Sequence, residues 1–200
     1  MKPFKNYENT KALSEARKLP VGAYICKVLN AEIKTYSGKN GDFDKLEISF
    51  DIAEGEYKGF YADDYKAQCQ EDKKWKGVLR LYVPTDDGSE MDELNKSIFK
   101  SMTEAAEESN AGYHWDWDEA KLKGKAIGIM FRNEEWAVNG KSGWKAQPFK
   151  ALSVDAVKAS KFTLPKDKPL KNRPAYAAAS TDLSDFEEMA SGNNDLPFGI

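Results

Sequence analysis

Hydrophobic and polar positions alternate most clearly between Val78 and Phe131, a stretch that reads as strand, helix, strand. Leu79, Leu81 and Val83 alternate with Arg80 and Tyr82, the period-two signature of a half-buried strand over Val78–Val83. The turn cluster Pro84-Thr-Asp-Asp-Gly88 ends it. Ser89, with Asp92 three residues on, predicts a capped helix start. Leu94, Ile98, Met102 and Ala105 then follow at helical spacing and form one apolar stripe. The helix is expected to run out near Ser109-Asn110, with Gly112 as its exit. Strand alternation returns after Gly124 at Ile127, Ile129 and Phe131.

Upstream, Tyr24, Cys26 and Val28 hold one phase and Leu29, Ala31 and Ile33 the other. A slip of this kind predicts a bulge in a long first strand that starts at Val21-Gly22. Ser37-Gly-Lys-Asn-Gly41 is a turn, and Leu46–Ile52 is a second strand with Leu46, Ile48, Phe50 and Ile52 inward. Residues 53–75, rich in aromatics and glycine, read as a long excursion with little regular structure. Asn139-Gly140-Lys-Ser-Gly143 reads as a hairpin loop between Trp136 and Trp144. A fifth strand follows over roughly Trp144–Val154, and its Pro148 requires an edge position or a bulge. The expected fold is mainly β: a five-stranded OB-fold barrel, the oligonucleotide/oligosaccharide-binding class, with one helix between strands three and four and a disordered C-terminal tail. A generic β-sandwich is the alternative. Residues 1–20 read as an N-terminal extension with a helical turn at Ser14–Lys18, 21–165 as the barrel, and 166–200 as a flexible basic linker and acidic tail.

Charge sharpens the picture of the tail. The 200 residues carry a formal net charge of −3. Residues 175–200 hold Asp182, Asp185, Glu187, Glu188 and Asp195 and no Lys or Arg, which leaves the rest at +2. Lys158–Pro174 is the most basic run, with Lys158, Lys161, Lys166, Lys168, Lys171 and Arg173 against Asp167 alone. Such a tail is either a solvated solubility device or a binding element. No apolar run reaches the ~20 residues of a membrane helix, so no membrane association is expected. The two cysteines, without a leading apolar run, point to reduced thiols in a cytoplasmic protein, with Cys26 as a small core residue.

Enzyme chemistry finds little support, and no catalytic, cofactor or metal residues are assigned. His114 is the single histidine. His114-Trp-Asp116-Trp-Asp118 is the one short run that a metal-dependent nuclease would use, but Trp115 and Trp117 more simply pack the connection against the barrel. Neither a phosphate loop nor a dinucleotide fingerprint is present. Nucleic-acid chemistry fits better. Single strands are held by cationic side chains along the backbone and by rings on which bases stack. Candidates of this kind are Lys34 and Tyr36 at the end of the first strand, Lys74, Trp75 and Lys76 before the third, and Arg80 and Tyr82 on its outer phase. Arg132, Trp136, Lys141, Trp144 and Lys145 lie on the last hairpin, where Trp136 and Trp144 alternatively form a cross-strand pair that merely stabilises it. Glu47 and Asp51 face outward on the second strand, so the face is not uniformly positive.

Asp195-Leu196-Pro197-Phe198 resembles the acidic C-terminal tip of bacterial single-stranded DNA-binding proteins, except that Gly199 and Ile200 follow the phenylalanine. The motifs Gly55-Glu-Tyr-Lys-Gly-Phe60, Asp72-Lys-Lys-Trp-Lys76, Gly112-Tyr-His-Trp-Asp-Trp117, Leu122-Lys-Gly-Lys125 and Arg132-Asn-Glu-Glu-Trp136 with Gly140-Lys-Ser-Gly-Trp144 are similar to a group of single-stranded DNA-binding proteins of phages and prophages of Gram-positive bacteria. The resemblance implies an oligonucleotide-binding barrel that binds and protects single-stranded DNA in phage or prophage replication and recombination. It also implies replication or recombination proteins as partners of Asp195, Leu196, Pro197 and Phe198. A protein-interaction adaptor on the same barrel and, further off, a metal-dependent nuclease are the competing classes. The sequence leaves oligomeric state open, a homo-oligomer included.

Overall fold

The computed structural model describes residues 2–9, 17–39 and 41–172. Five strands form one antiparallel sheet: β1 (Ala23–Gly38), β2 (Gly41–Ile52), β3 (Val78–Tyr82), β4 (Ala126–Val138) and β5 (Lys141–Leu152). The spatial order is β3-β2-β1-β4-β5. β1 occupies the centre because it is long enough to serve two partners. Its first half pairs with β4 from Ala23↔Met130 to Lys27↔Ala126, and β2 runs along it from Cys26↔Ile52 to Gly38↔Gly41. The expected bulge falls between Val28 and Asn30, where the register shifts. Residues of the edge strands β3 and β5 approach within 8 Å between Cα atoms, but no ladder joins them. The sheet is therefore open, where the sequence pattern predicts a closed barrel.

Pro148 meets both of its expected conditions. β5 is an edge strand, and the register shifts as Met130↔Lys150 gives way to Phe131↔Pro148. The hairpin turn is tighter than expected: Asn139 (φ 49°) and Gly140 (φ 74°) make the turn, and Lys141–Gly143 already belong to β5. Two left-handed residues at an Asn-Gly step match the twist of the flanking strands.

The core follows from the alternation. Cys26 and Val28, then Leu46, Ile48, Phe50 and Ile52, Leu79 and Leu81, and Ile127, Ile129 and Phe131 are buried. The Phe50 and Phe131 rings meet edge to face at 6.1 Å. Each such aliphatic or aromatic side chain contributes about 1.5–3 kcal/mol on burial.

Among the described residues three α-helices accompany the sheet. The longest, spanning Glu90–Ser109, starts as predicted, with the Ser89 hydroxyl accepting from Asp92 N at 3.1 Å. Its stripe is only half used. Met102 and Ala105 are buried, whereas Leu94 and Ile98 are 52% and 40% exposed. Asp92, expected only as part of a cap, is buried and accepts from the backbone of Thr85 and Asp86 at 2.7 and 3.2 Å, with Lys96 at 3.1 Å. The residues read as an irregular excursion contain a helix over Phe60–Ala67. Its N-terminal amides are satisfied from far away in sequence: Asp51 on β2 accepts from Tyr61 N at 3.0 Å and Ala62 N at 3.2 Å. A third helix, Val154–Lys158, begins where the last strand was expected to end, with Ser153 accepting from Ala156 N. We number these α1 (Phe60–Ala67), α2 (Glu90–Ser109) and α3 (Val154–Lys158).

Two further expectations change. Of the two tryptophans expected to pack the α2–β4 connection, Trp115 meets Phe99 at 5.8 Å, but Trp117 is 81% exposed at φ 66°. The first residues of the expected flexible linker run beside β4, where Lys168 forms a parallel bridge with Glu134 and Leu170 N donates to Glu135 at 3.0 Å. Ser14–Ala16 of the expected N-terminal turn, and the tip residues Asp195, Leu196, Pro197 and Phe198, lie outside the described residues. Among the described residues no helix is long and apolar enough to cross a membrane.

Candidate nucleic-acid interface

The outer face of β1–β2–β3 carries a row of rings. Pairing about the β1–β2 hairpin sets Tyr36 opposite Phe43, and β2–β3 pairing sets Lys45 opposite Tyr82. Partners opposite one another in a ladder point to the same face, so these side chains converge. Tyr36 and Phe43 stack at 5.8 Å with a 13° interplanar angle, and Phe43 meets Tyr82 at 5.5 Å and 41°. The Lys45 amine lies 5.3 Å from the Tyr36 and Phe43 ring centres and 4.5 Å from that of Tyr82. Cations at this range are held by the ring quadrupole. Tyr36 and Tyr82 were expected in the site; Phe43 and Lys45 were missed. Their signal was present, since Phe43, Lys45 and Glu47 continue the outward phase of β2, which begins five residues before the Leu46 start read from the sequence.

Beside the rings sits a cluster built on Glu47, the residue opposite Arg80 on β3 and Glu32 on β1. Glu47 is only 6% exposed. Its Oε1 accepts from Arg80 Nε at 2.5 Å and from the Tyr36 hydroxyl, and its Oε2 pairs with Lys34 at 3.0 Å. Lys34 also reaches Glu32 at 2.8 Å. Burial alone would push the Glu47 carboxyl up, but the hydrogen bonds from Tyr36, Arg80 and Lys34 outweigh it and hold it at about 2, against 4.5 ordinarily. A carboxyl depressed on folding stabilises the protein fully above its unfolded value and loses that contribution as pH falls through the folded one. Glu47 therefore adds stability above pH 4.5 that disappears toward pH 2. In thermal melts taken stepwise from about pH 5 downward, Glu47→Gln should show a flatter acid loss than the native chain. Equally steep losses would place the acid sensitivity elsewhere.

The other expected residues divide. Lys76, Trp136, Trp144 and Lys145 line one cleft of about 620 Å³, together with Arg17 and Lys18 from the N-terminal segment, which the sequence reading missed. Trp136 and Trp144 are not directly opposed: Trp136 faces Gly143, and Trp144 faces Glu135. A Cβ on Gly143 would lie 3.3 Å from the Trp136 ring, a tight contact that glycine avoids. The Lys145 amine is pushed down, first by the cleft walls that take it out of water and then by Lys76, although the residue as a whole stays exposed. Lys76 itself pairs with Asp64 at 3.0 Å.

Four candidates serve other purposes or stand apart. The indole N–H of Trp75 donates to Phe50 O and Gly77 O, both at 3.1 Å, and its ring packs beside Tyr61 and Tyr65. It is a structural ring. Arg132 pairs with Glu134 at 2.6 Å and lies over the Phe149 ring at 4.1 Å. Lys74 reaches Asp72 at 3.4 Å on the exposed loop before β3, and Lys141 sits exposed at the hairpin tip. The carboxylates considered for a metal, Asp116 and Asp118, both face Lys121. Among the described residues no group of three His, Cys, Asp or Glu is placed to hold a metal ion.

No protein-family model matches this chain, and no curated protein sequence matches it.

Proposed function

We propose that this chain binds single-stranded DNA without sequence preference, on an OB-type barrel, and protects it during phage or prophage replication and recombination. The observation that carries this reading is the three-ring row of Tyr36, Phe43 and Tyr82 with Lys45 against it, on the open face of β1–β2–β3. Accessible rings beside cations, here Tyr82 exposed with Tyr36 and Phe43 half-buried, are what a single strand requires, because every base has a face to stack and every linkage a phosphate. The strand order and the approach of β3 to β5 support an OB-type barrel, whose binding face lies on its second and third strands and the loops beside them. The cleft lined by Lys76, Trp136, Trp144 and Lys145 offers a second group of rings and cations. The acidic tail, with Asp195, Leu196, Pro197 and Phe198 near its end, is assigned the recruitment of replication or recombination proteins.

Titrating tryptophan fluorescence with oligo-dT at two salt concentrations tests the reading. Binding is expected at low salt, with log K falling against log salt at about −0.7 per phosphate neutralised. No binding at low salt, or tighter binding to duplex than to single strands, overturns it.

A further inference from the structure

The Glu47 cluster is an unusual device to find on such a face. Three donors from the two neighbouring strands, Lys34 and Tyr36 on β1 and Arg80 on β3, converge on one buried carboxylate. The two cations among them, Lys34 and Arg80, are the ones the sequence alone would assign to DNA phosphates. Counted as a group, Lys34 and Arg80 face Glu47 and Glu32, and the four charges cancel. Counterions gather on a surface according to its net charge, and their release drives phosphate binding. A neutral cluster has few to release, whatever number of N–H donors it displays. Lys45 differs. Its contacts are ring faces, and among the described residues it forms no ion pair.

We propose that Glu47 is a built-in anion occupying the place of a strand phosphate: it keeps Lys34 and Arg80 off the DNA and holds Tyr36 in position. The inference rests on the single-strand reading above and assigns the platform its mode of binding. Bases stack on Tyr36, Phe43 and Tyr82, while the phosphates are met by Lys45 and by the lysines of the cleft. One consequence is a site whose affinity depends less on salt than its count of basic residues suggests. Another is a face that does not attract duplex DNA, which binds mainly through its phosphates.

The test compares salt slopes for oligo-dT binding in the native chain and in Glu47→Gln, Glu32→Gln, Arg80→Gln and the Glu47→Gln/Arg80→Gln double variant. Removing the internal anion leaves the cluster at +1, with Lys34 still paired to Glu32, so it should tighten binding at low salt and steepen the slope by about 0.7. Arg80→Gln alone should leave the native slope unchanged, but in the Glu47→Gln background it should make the slope shallower by about 0.7. Glu32→Gln removes the same formal charge from an exposed position and should change the slope less than Glu47→Gln does. The proposal is overturned by a Glu47→Gln slope equal to or shallower than native, by a native slope that drops by about 0.7 with Arg80→Gln, or by equal effects of Glu32→Gln and Glu47→Gln. Arg80 is half exposed, so its single variant tests the idea even where Glu47→Gln fails to fold. A native chain that binds no oligo-dT sinks the single-strand reading itself. Native binding with the overturning slopes sinks only the role of Glu47.

Discussion

Tyr82→Ala is expected to weaken oligo-dT binding about fivefold or more with little change in melting temperature, and Tyr36→Ala/Tyr82→Ala to weaken it further, by about thirtyfold where the two losses add. Stacking on one ring contributes about 1–3 kcal/mol, and each 1.4 kcal/mol is a factor of ten. The two rings share Phe43 as a neighbour, so their effects need not add. Tyr82 is half exposed at the end of β3, and its loss leaves no cavity in the core. Tyr36 has a second task through its hydroxyl on Glu47, and Tyr36→Phe separates the two. The phenylalanine variant keeps the ring and should retain most of the affinity. If Tyr82→Ala binds as tightly as the native chain, the three-ring row is not where bases stack. Trp144→Ala then tests the cleft directly.

Trp75→Ala should have the opposite signature. Large-to-small substitution of a packed tryptophan costs about 3–5 kcal/mol when buried, and Trp75 is partly buried, so about 2–4 kcal/mol is expected. Its indole N–H bridges the β2 carbonyl of Phe50 to that of Gly77 just before β3. Truncation removes that bridge and the packing against Tyr61. The sites around it are tight: a Cβ on Gly77 would lie 2.5 Å from Phe50 O and 2.7 Å from the Tyr61 ring, so the neighbours have little freedom to refill the space. Denaturant unfolding measures the stability loss, and binding measured well below the melting temperature gives the affinity of the folded protein. A normal melt combined with a tenfold loss of affinity would return Trp75 to the binding surface.

The opposite behaviour expected of Tyr82 and Trp75 shows where sequence reading stops. Both are aromatic residues with a basic residue within two positions, and local pattern treats them alike. Tyr82 continues an outward strand phase, which is a local fact and was legible. Trp75 precedes the strand, and its partners are Phe50, twenty-five positions away, and Tyr61. Likewise, Arg80 was legible as a cation on the outward phase of the third strand and Lys34 as one near the end of the first. Their pairing with Glu47 required the β1–β2 and β2–β3 registers, which set residues far apart in sequence side by side.

Short-range physics determined what the sequence disclosed by itself. The alternation of β2, β3 and β4, the bulge after Val28, the Ser89 cap and the punctuation at Pro148 all follow from interactions within a few residues. They mark five strands and one long helix. Tertiary structure decided the rest, because those outcomes depend on which distant groups meet. Phe60–Ala67 is helical with Asp51, on another element, accepting from its first amides. Leu94 and Ile98 carry a correct helical stripe and remain exposed, since periodicity states which face is apolar and not whether anything covers it. Glu47 reads as an outward, solvated carboxylate and is buried under two cations and a phenol, since burial on a sheet face is set by the neighbouring strands and not by the alternation of its own.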